Sequence, residues 1–92
     1  MLVCEVTGNV WATKKEQSLV GLKLMVVKEL NKAEHSFVAA DVVGAGIGET
    51  VLVATGSTAR KAISEREPSV DAAIVGIIDS LEVDMQSVSG NR

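Results

Sequence analysis

Aromatic residues are nearly absent from this 92-residue chain, which has one Trp, one Phe and no Tyr. Proteins that bind single-stranded nucleic acid use such rings as stacking platforms. The chain also lacks a basic cluster, because its 9 Lys and Arg are outnumbered by 12 Asp and Glu, for a net charge of −3. A phosphate-binding surface needs clustered Lys and Arg to displace counterions. Both shortages argue against nucleic acid as a partner.

Cysteine and histidine each occur once. Cys4 therefore cannot form an intrachain disulfide, which is typical of a reducing compartment. Its alternation with Leu2 and Val6 predicts a buried thiol. His35 lies in a polar turn beside Glu34, so we expect a solvated side chain. Because one histidine and one distant cysteine do not make a zinc site, we expect no metal, no cofactor and no catalytic residue.

Long hydrophobic runs are missing as well. No segment reaches the roughly 18 apolar residues of a membrane-spanning helix. The N-terminus differs from a signal peptide, because Glu5 interrupts its apolar stretch and no basic region precedes it. We therefore expect a cytoplasmic protein without a membrane partner.

Small apolar side chains are abundant, and 47% of all residues are hydrophobic. A chain of this length buries only about 60 to 65% of its unfolded surface, so one small core cannot cover them all. Burial against copies of the same chain is the usual solution, and we expect a homo-oligomer. The alternative is a sheet whose two faces are both covered within one subunit.

Alternating and β-branched segments predict five strands, at residues 2–13, 22–30, 36–43, 50–55 and 72–78. Gly8 indicates a bulge in the first strand, and the fifth has the composition of a strand buried on both sides. One short helix is predicted over residues 57–63, with Ser57 as its capping hydroxyl. This order predicts a mainly all-β fold, a small closed OB-like β-barrel, followed by a polar tail at residues 85–92.

Three alternate glycines, Gly44, Gly46 and Gly48, stand between the third and fourth strands. A phosphate-cradling loop has its glycines after a strand and at the opening of a helix. Here the chain continues directly into a strand at Thr50, which disfavours a nucleotide-binding enzyme. The glycines instead indicate positive φ, or a need to lack Cβ atoms where chains approach closely.

Several separate motifs stand in order along the chain: Gly8-Asn9-Val10 with Ala12-Thr13-Lys14, LVGLKL at 19–24, DVVGAGIGETVLV at 41–53 with GSTAR at 56–60, and DAAIVGIID at 71–79. Together they resemble the EutN/CcmL family of bacterial microcompartment vertex proteins, over about residues 1–84 as one domain. The resemblance implies a five-stranded barrel that assembles as a cyclic homopentamer. Such pentamers close the five-fold vertices of polyhedral shells of the carboxysome, ethanolamine or propanediol type in the bacterial cytoplasm. The resemblance further implies a structural protein that is not an enzyme, with hexameric and tandem-domain trimeric shell proteins as partners.

The resemblance also implies that the glycine-rich segment lies near the five-fold axis, around any narrow pore, with the residues Gly44, Ala45, Gly46, Ile47, Gly48 and Glu49. From that position we expect Glu49 to accept hydrogen bonds from backbone amides or hydroxyls of a neighbouring subunit. A branched side chain at Gly46 is expected to strain the turn if φ is positive there. The alternative function is an OB-type module that binds an oligonucleotide or oligosaccharide.

Overall fold

The computed structural model describes residues 1–12, 15, 17–32, 34–63 and 70–79. Within them the chain forms, in order, β1 (Leu2–Asn9), a 3₁₀ turn (Gln17–Leu19), β2 (Leu24–Glu29), β3 (Ser36–Asp41), β4 (Thr50–Thr55), α1 (Gly56–Ile63) and β5 (Ala72–Ile77). The predicted domain end at residue 84 and the predicted tail at 85–92 lie outside the described residues. No helix in the described part of the chain is long and apolar enough to span a membrane.

The strands close into a barrel in the order β1-β2-β3-β5-β4. The predicted five-stranded barrel, with one short helix between the fourth and fifth strands, is confirmed. All neighbouring pairs are antiparallel except β3 and β5, which run parallel and pair Ala40 with Ala73 and Asp41 with Ile74. This short parallel seam ends where the glycine-rich segment begins.

Inward-facing side chains fill the barrel with a buried cluster of small and medium apolar residues, namely Cys4, Val6, Met25, Val27, Ala39, Ala45, Val51, Val53, Ala72 and Ile74. The predicted burial of Cys4 is confirmed. Burial raises the pKa of the Cys4 thiol, and the nearby Glu29 carboxylate raises that pKa further. The thiol is therefore a neutral packing group. A second small cluster of Ala54, Ala59 and Ala73 packs α1 against β4 and β5.

The first strand is shorter than its pattern predicts. The pairing of β1 with β2 shifts between Val6 and Gly8, so the predicted bulge is confirmed. The last bond of this ladder joins the Val10 amide to the Leu24 carbonyl at 3.0 Å. Beyond it the chain leaves the sheet, and Trp11 is 89% exposed. Trp11 and Ala12, which the pattern assigned to the first strand, lie beyond this last bond.

Two further boundaries and one burial pattern differ from the predictions. The second strand begins at Leu24, because Gly21 turns the chain just before it with a φ of 88°. The helix begins at Gly56, so Ser57 lies within its first turn. The fifth strand is fully buried only over residues 72–74, whereas Ile77 is 37% exposed. Its second half extends beyond the seam with β3, so the prediction of burial on both sides holds for the first half alone.

Candidate assembly site at the glycine loop

The glycine loop, residues 42–49, connects β3 to β4 and is organised by the last residue of β3. The Asp41 side chain is fully buried. Its carboxylate accepts hydrogen bonds from the amides of Val43, Gly44 and Ala45 at 3.0, 3.0 and 2.8 Å. Bonds from backbone amides to an ionised carboxylate are shorter and stronger than neutral ones. They explain why β3 ends at Asp41, although the following Val42 and Val43 have the composition of a strand.

A lysine from the neighbouring strand connection holds the same part of the loop. The Lys23 Nζ lies 3.2 Å from Asp41 Oδ2 and donates a hydrogen bond to the Ala45 carbonyl at 3.0 Å. The Lys23 side chain is half exposed, so solvent weakens the ion pair. The Ala45 side chain packs in the core of its own barrel. It therefore supports the loop from inside the barrel.

The second half of the loop is a tight turn from Gly46 to Glu49. The Glu49 amide donates to the Gly46 carbonyl at 3.1 Å, and Glu49 Oε1 accepts a bond from the Gly46 amide at 2.6 Å. Glu49 therefore has a backbone amide as a partner within its own turn, because the residue three positions away supplies a donor without assembly. A contact of Glu49 with a neighbour stays a prediction.

The turn is also fixed to the barrel wall. The Gly48 amide donates to the Val6 carbonyl at 2.8 Å, and the Val6 amide donates to the Glu49 carbonyl at 3.0 Å. These bonds extend the pairing of β1 with β4 up to the turn. At its tip Ile47 is 60% exposed, and Val42 and Val43 at the start of the loop are 43% and 42% exposed. We refer to these three side chains as the apolar crest.

The alternate glycines do not share one role. Gly44 and Gly48 have φ values of 85° and 94°, the left-handed region that favours glycine. Gly46 lies outside this region, and the nearest heavy atom to a Cβ built there is Glu49 Oε1, at an ordinary contact distance of 3.6 Å. The condition for strain at Gly46 is therefore not met. We expect substitution to strain the backbone at Gly44 and Gly48, and not at Gly46.

The carboxylate of Glu49 gives a first testable prediction. Glu49→Ala removes the acceptor for the Gly46 amide and should lower the free energy of unfolding by about 0.5–1 kcal/mol, the net value of an accessible hydrogen bond. Glu49→Gln retains an acceptor oxygen and serves as the matched control, with a smaller loss. Urea unfolding curves measure both. Equal losses in the two variants would contradict a role for the Gly46 bond.

The sole histidine is exposed in its polar turn, as predicted, and it also has two side-chain partners. His35 Nδ1 lies 2.9 Å from Glu29 Oε1, and its ring centroid is 5.1 Å from that of Phe37. The hairpin between β2 and β3 brings these residues together, and the predicted solvated side chain is confirmed, because the His35 side chain stays 49% exposed. In the described part of the chain, no group of three or more His, Cys, Asp or Glu is placed to hold a metal ion.

Apolar surface remains after the barrel has closed. Among the described residues, nine large apolar side chains are more than a third exposed: Met1, Trp11, Val20, Leu30, Val38, Val42, Val43, Ile47 and Ile77. This matches the surplus expected from composition and favours burial against another molecule. The apolar crest contributes three of them from a rigid loop, which makes the loop a suitable assembly surface.

Known proteins share both this sequence and this fold. The family model for "Ethanolamine utilisation protein EutN/carboxysome" matches residues 1–79. The chain is 44% identical to the carboxysome shell vertex protein CcmL of Synechococcus elongatus, over 100% of this chain and 97% of that protein. It is 40% identical to the microcompartment shell vertex protein PduN of Salmonella typhimurium, over 88% and 98%. The solved GrpN pentameric microcompartment shell protein of Rhodospirillum rubrum superposes with a TM-score of 0.79 at 43% identity, covering 91% of this chain and all of that one.

The class of protein follows from the fold and these matches together. The chain matches microcompartment shell vertex proteins over nearly its whole length, and its small closed barrel is the subunit fold of those proteins. The chain belongs to the EutN/CcmL family. The resemblance carried by its sequence motifs is confirmed.

Proposed function

We propose that five copies of this chain form a cyclic ring that caps the five-fold vertices of a microcompartment shell in the bacterial cytoplasm. The observation that carries the proposal is the similarity to a pentameric shell protein, at 43% identity and a TM-score of 0.79. The exposed apolar side chains give it physical support, because a ring covers surface that a single barrel leaves in water. The protein acts through its shape and catalyses no reaction.

The mechanism of such a cap is geometric. A flat layer of six-fold tiles cannot close on itself, so positions of five-fold symmetry must introduce the curvature. A pentameric ring provides such a position, and its outer edges meet the surrounding tiles. The partners that this role requires are the hexameric and tandem-domain trimeric shell proteins of the facets.

We further propose that the glycine loop lies toward the centre of the ring. Its two ends are anchored by Asp41 and by the pairing with β1, so it can present a fixed surface to neighbouring copies. The glycines permit close backbone approach where five copies converge. In this arrangement Ile47 and Glu49 recur once per subunit around the axis, whereas the Ala45 side chain remains within its own barrel.

Shell assembly tests the function directly. Hexameric facet proteins produced together with this chain should form closed polyhedra that contain it, seen by electron microscopy of the purified particles. The same facet proteins alone should form open sheets, tubes or unsealed shells. Sealed polyhedra of the same shape without the chain, or closed shells from which the chain is absent, would contradict the proposal.

The alternative function, an OB-type binding module, has one observation in its favour. The exposed ring of Trp11 stands at a groove lined also by Lys15 and Lys23, which are residue types that hold single strands. Lys23, however, is already paired with Asp41. We expect no measurable binding of a labelled single-stranded oligonucleotide by fluorescence anisotropy at low salt. Tight binding that weakens steeply with added salt would favour the module instead.

A further inference from the structure

A groove opens at one end of the barrel, where β1 passes into the connection to β2. It has a volume of about 370 Å³, and its lining includes the apolar residues Val10, Trp11, Leu22 and Leu24 together with Lys15 and Lys23. This volume is large enough to hold side chains from another molecule. The groove therefore offers an apolar surface with two lysines at its edge, of which Lys23 is paired with Asp41.

Trp11 lines this groove and is unusually exposed. At 89% exposure it is the most exposed large apolar side chain among the described residues. An exposed tryptophan beside an unfilled apolar groove is typical of an interface anchor, because the indole buries a large area at little conformational cost when a partner docks. The groove thus has the character of a contact surface.

The groove and the glycine loop are adjacent on the surface. Lys23 lines the groove, and its Nζ contacts both Asp41 Oδ2 and the Ala45 carbonyl of the loop. A second copy that packs against the glycine loop therefore meets the groove as well. This adjacency favours another copy of the chain as the occupant.

The crest of a second copy matches the groove in polarity and charge. Ile47 is 60% exposed at the tip of a rigid turn, and the exposed residue Glu49 follows two positions later. An aliphatic group with an acid beside it is complementary to an apolar groove lined by lysines. We propose that the groove beside Trp11 receives Ile47 of the neighbouring copy, with Glu49 of that copy facing Lys15. This head-to-tail contact rests on the proposed ring and is the type of interface that closes one.

Tryptophan fluorescence tests the proposal, because Trp11 is the only Trp and the chain has no Tyr. On assembly, the emission of Trp11 should shift to shorter wavelength and its quenching by acrylamide should fall. In the Ile47→Ser variant, assembly should leave both the emission wavelength of Trp11 and its quenching by acrylamide unchanged. Leu30→Ser alters an exposed aliphatic residue just beyond the other end of β2 and should show both changes on assembly.

The outcomes separate this contact from the ring itself. A wild-type ring of five copies whose Trp11 is quenched as readily as in the dilute single chain would overturn the contact and leave the ring in place. A chain that stays monomeric at every concentration would contradict both the contact and the ring. Quenching of Trp11 by a single-stranded oligonucleotide at low salt would assign the groove to nucleic acid and overturn the proposal.

Cross-linking provides a second measurement, which does not require the Ile47→Ser variant to assemble. A chain carrying both Ala12→Cys and Ile47→Cys should form a ladder of covalently joined chains under mild oxidation, seen on a non-reducing gel. The matched pair Ala12→Cys and Leu30→Cys should not, and buried Cys4 stays unreactive in both. Single-chain bands alone from the first pair would overturn the proposal.

Discussion

Asp41→Ala should lower the free energy of unfolding by about 2–4 kcal/mol, as expected when several hydrogen bonds to one charged group are lost. The carboxylate holds three loop amides, at Val43, Gly44 and Ala45, and its side chain is fully buried. Little of this loss should come from the ion pair, because Lys23 is half exposed and screened by solvent. Urea unfolding of the variant and the wild type measures the difference.

Two control variants separate the contributions at this position. Asp41→Asn retains the shape and one acceptor oxygen, so about half of the loss should remain. Lys23→Met removes the ion pair and the bond to the Ala45 carbonyl but leaves the three amide bonds, and should cost about 1 kcal/mol or less. If Lys23→Met cost as much as Asp41→Ala, the loop would depend on the ion pair and our account of its anchoring would be wrong.

Gly44→Val and Gly48→Val should each lower the free energy of unfolding by about 2–3 kcal/mol, because a β-branched residue is forced into the left-handed region. The φ values of 85° and 94° require this conformation. Each change should also dissociate the proposed ring, since both glycines set the position of the apolar crest. Unfolding curves and light scattering follow the two effects.

Gly46 provides the matched control in the same loop. Gly46→Ala places a Cβ at an ordinary contact distance from Glu49 Oε1 on a backbone outside the left-handed region. It should change the free energy of unfolding of the single subunit by less than about 0.5 kcal/mol, the usual range for an accessible surface position. A loss at Gly46 as large as those at Gly44 and Gly48 would show that crowding, and not φ, explains why the loop contains glycines.

The strands of the barrel could be predicted because their core positions alternate. Cys4 and Val6 face the interior as the pattern indicates, and the bulge lies at Gly8. The predicted boundaries failed where a local hydrogen bond outweighs propensity. Val42 and Val43 have the composition of a strand, but the amide of Val43 is held by the preceding Asp41. A pattern of side-chain types does not show whether a backbone amide will bond to a neighbouring strand or to a nearby side chain.

The anchoring of the candidate site was harder to predict. Lys23 and Asp41 are far apart in sequence and meet because β2 and β3 pair, with Leu24 opposite Ala40. A hairpin register worked out from the sequence could have brought them together. Which two of the three glycines have positive φ could not be predicted, since all three are compatible with it. Contacts across the proposed ring involve a second copy, so the sequence pattern of one chain does not place them, and we infer them from the exposed crest and the groove beside Trp11.

Native mass spectrometry of the purified chain tests the central claim, that the surplus apolar surface is covered by a closed ring of identical subunits. The account predicts a dominant species of five times the 9.6 kDa mass of the chain. The Gly48→Val variant should shift this population toward the single chain. A wild-type protein found as single chains, or as rings of another size, would contradict the account.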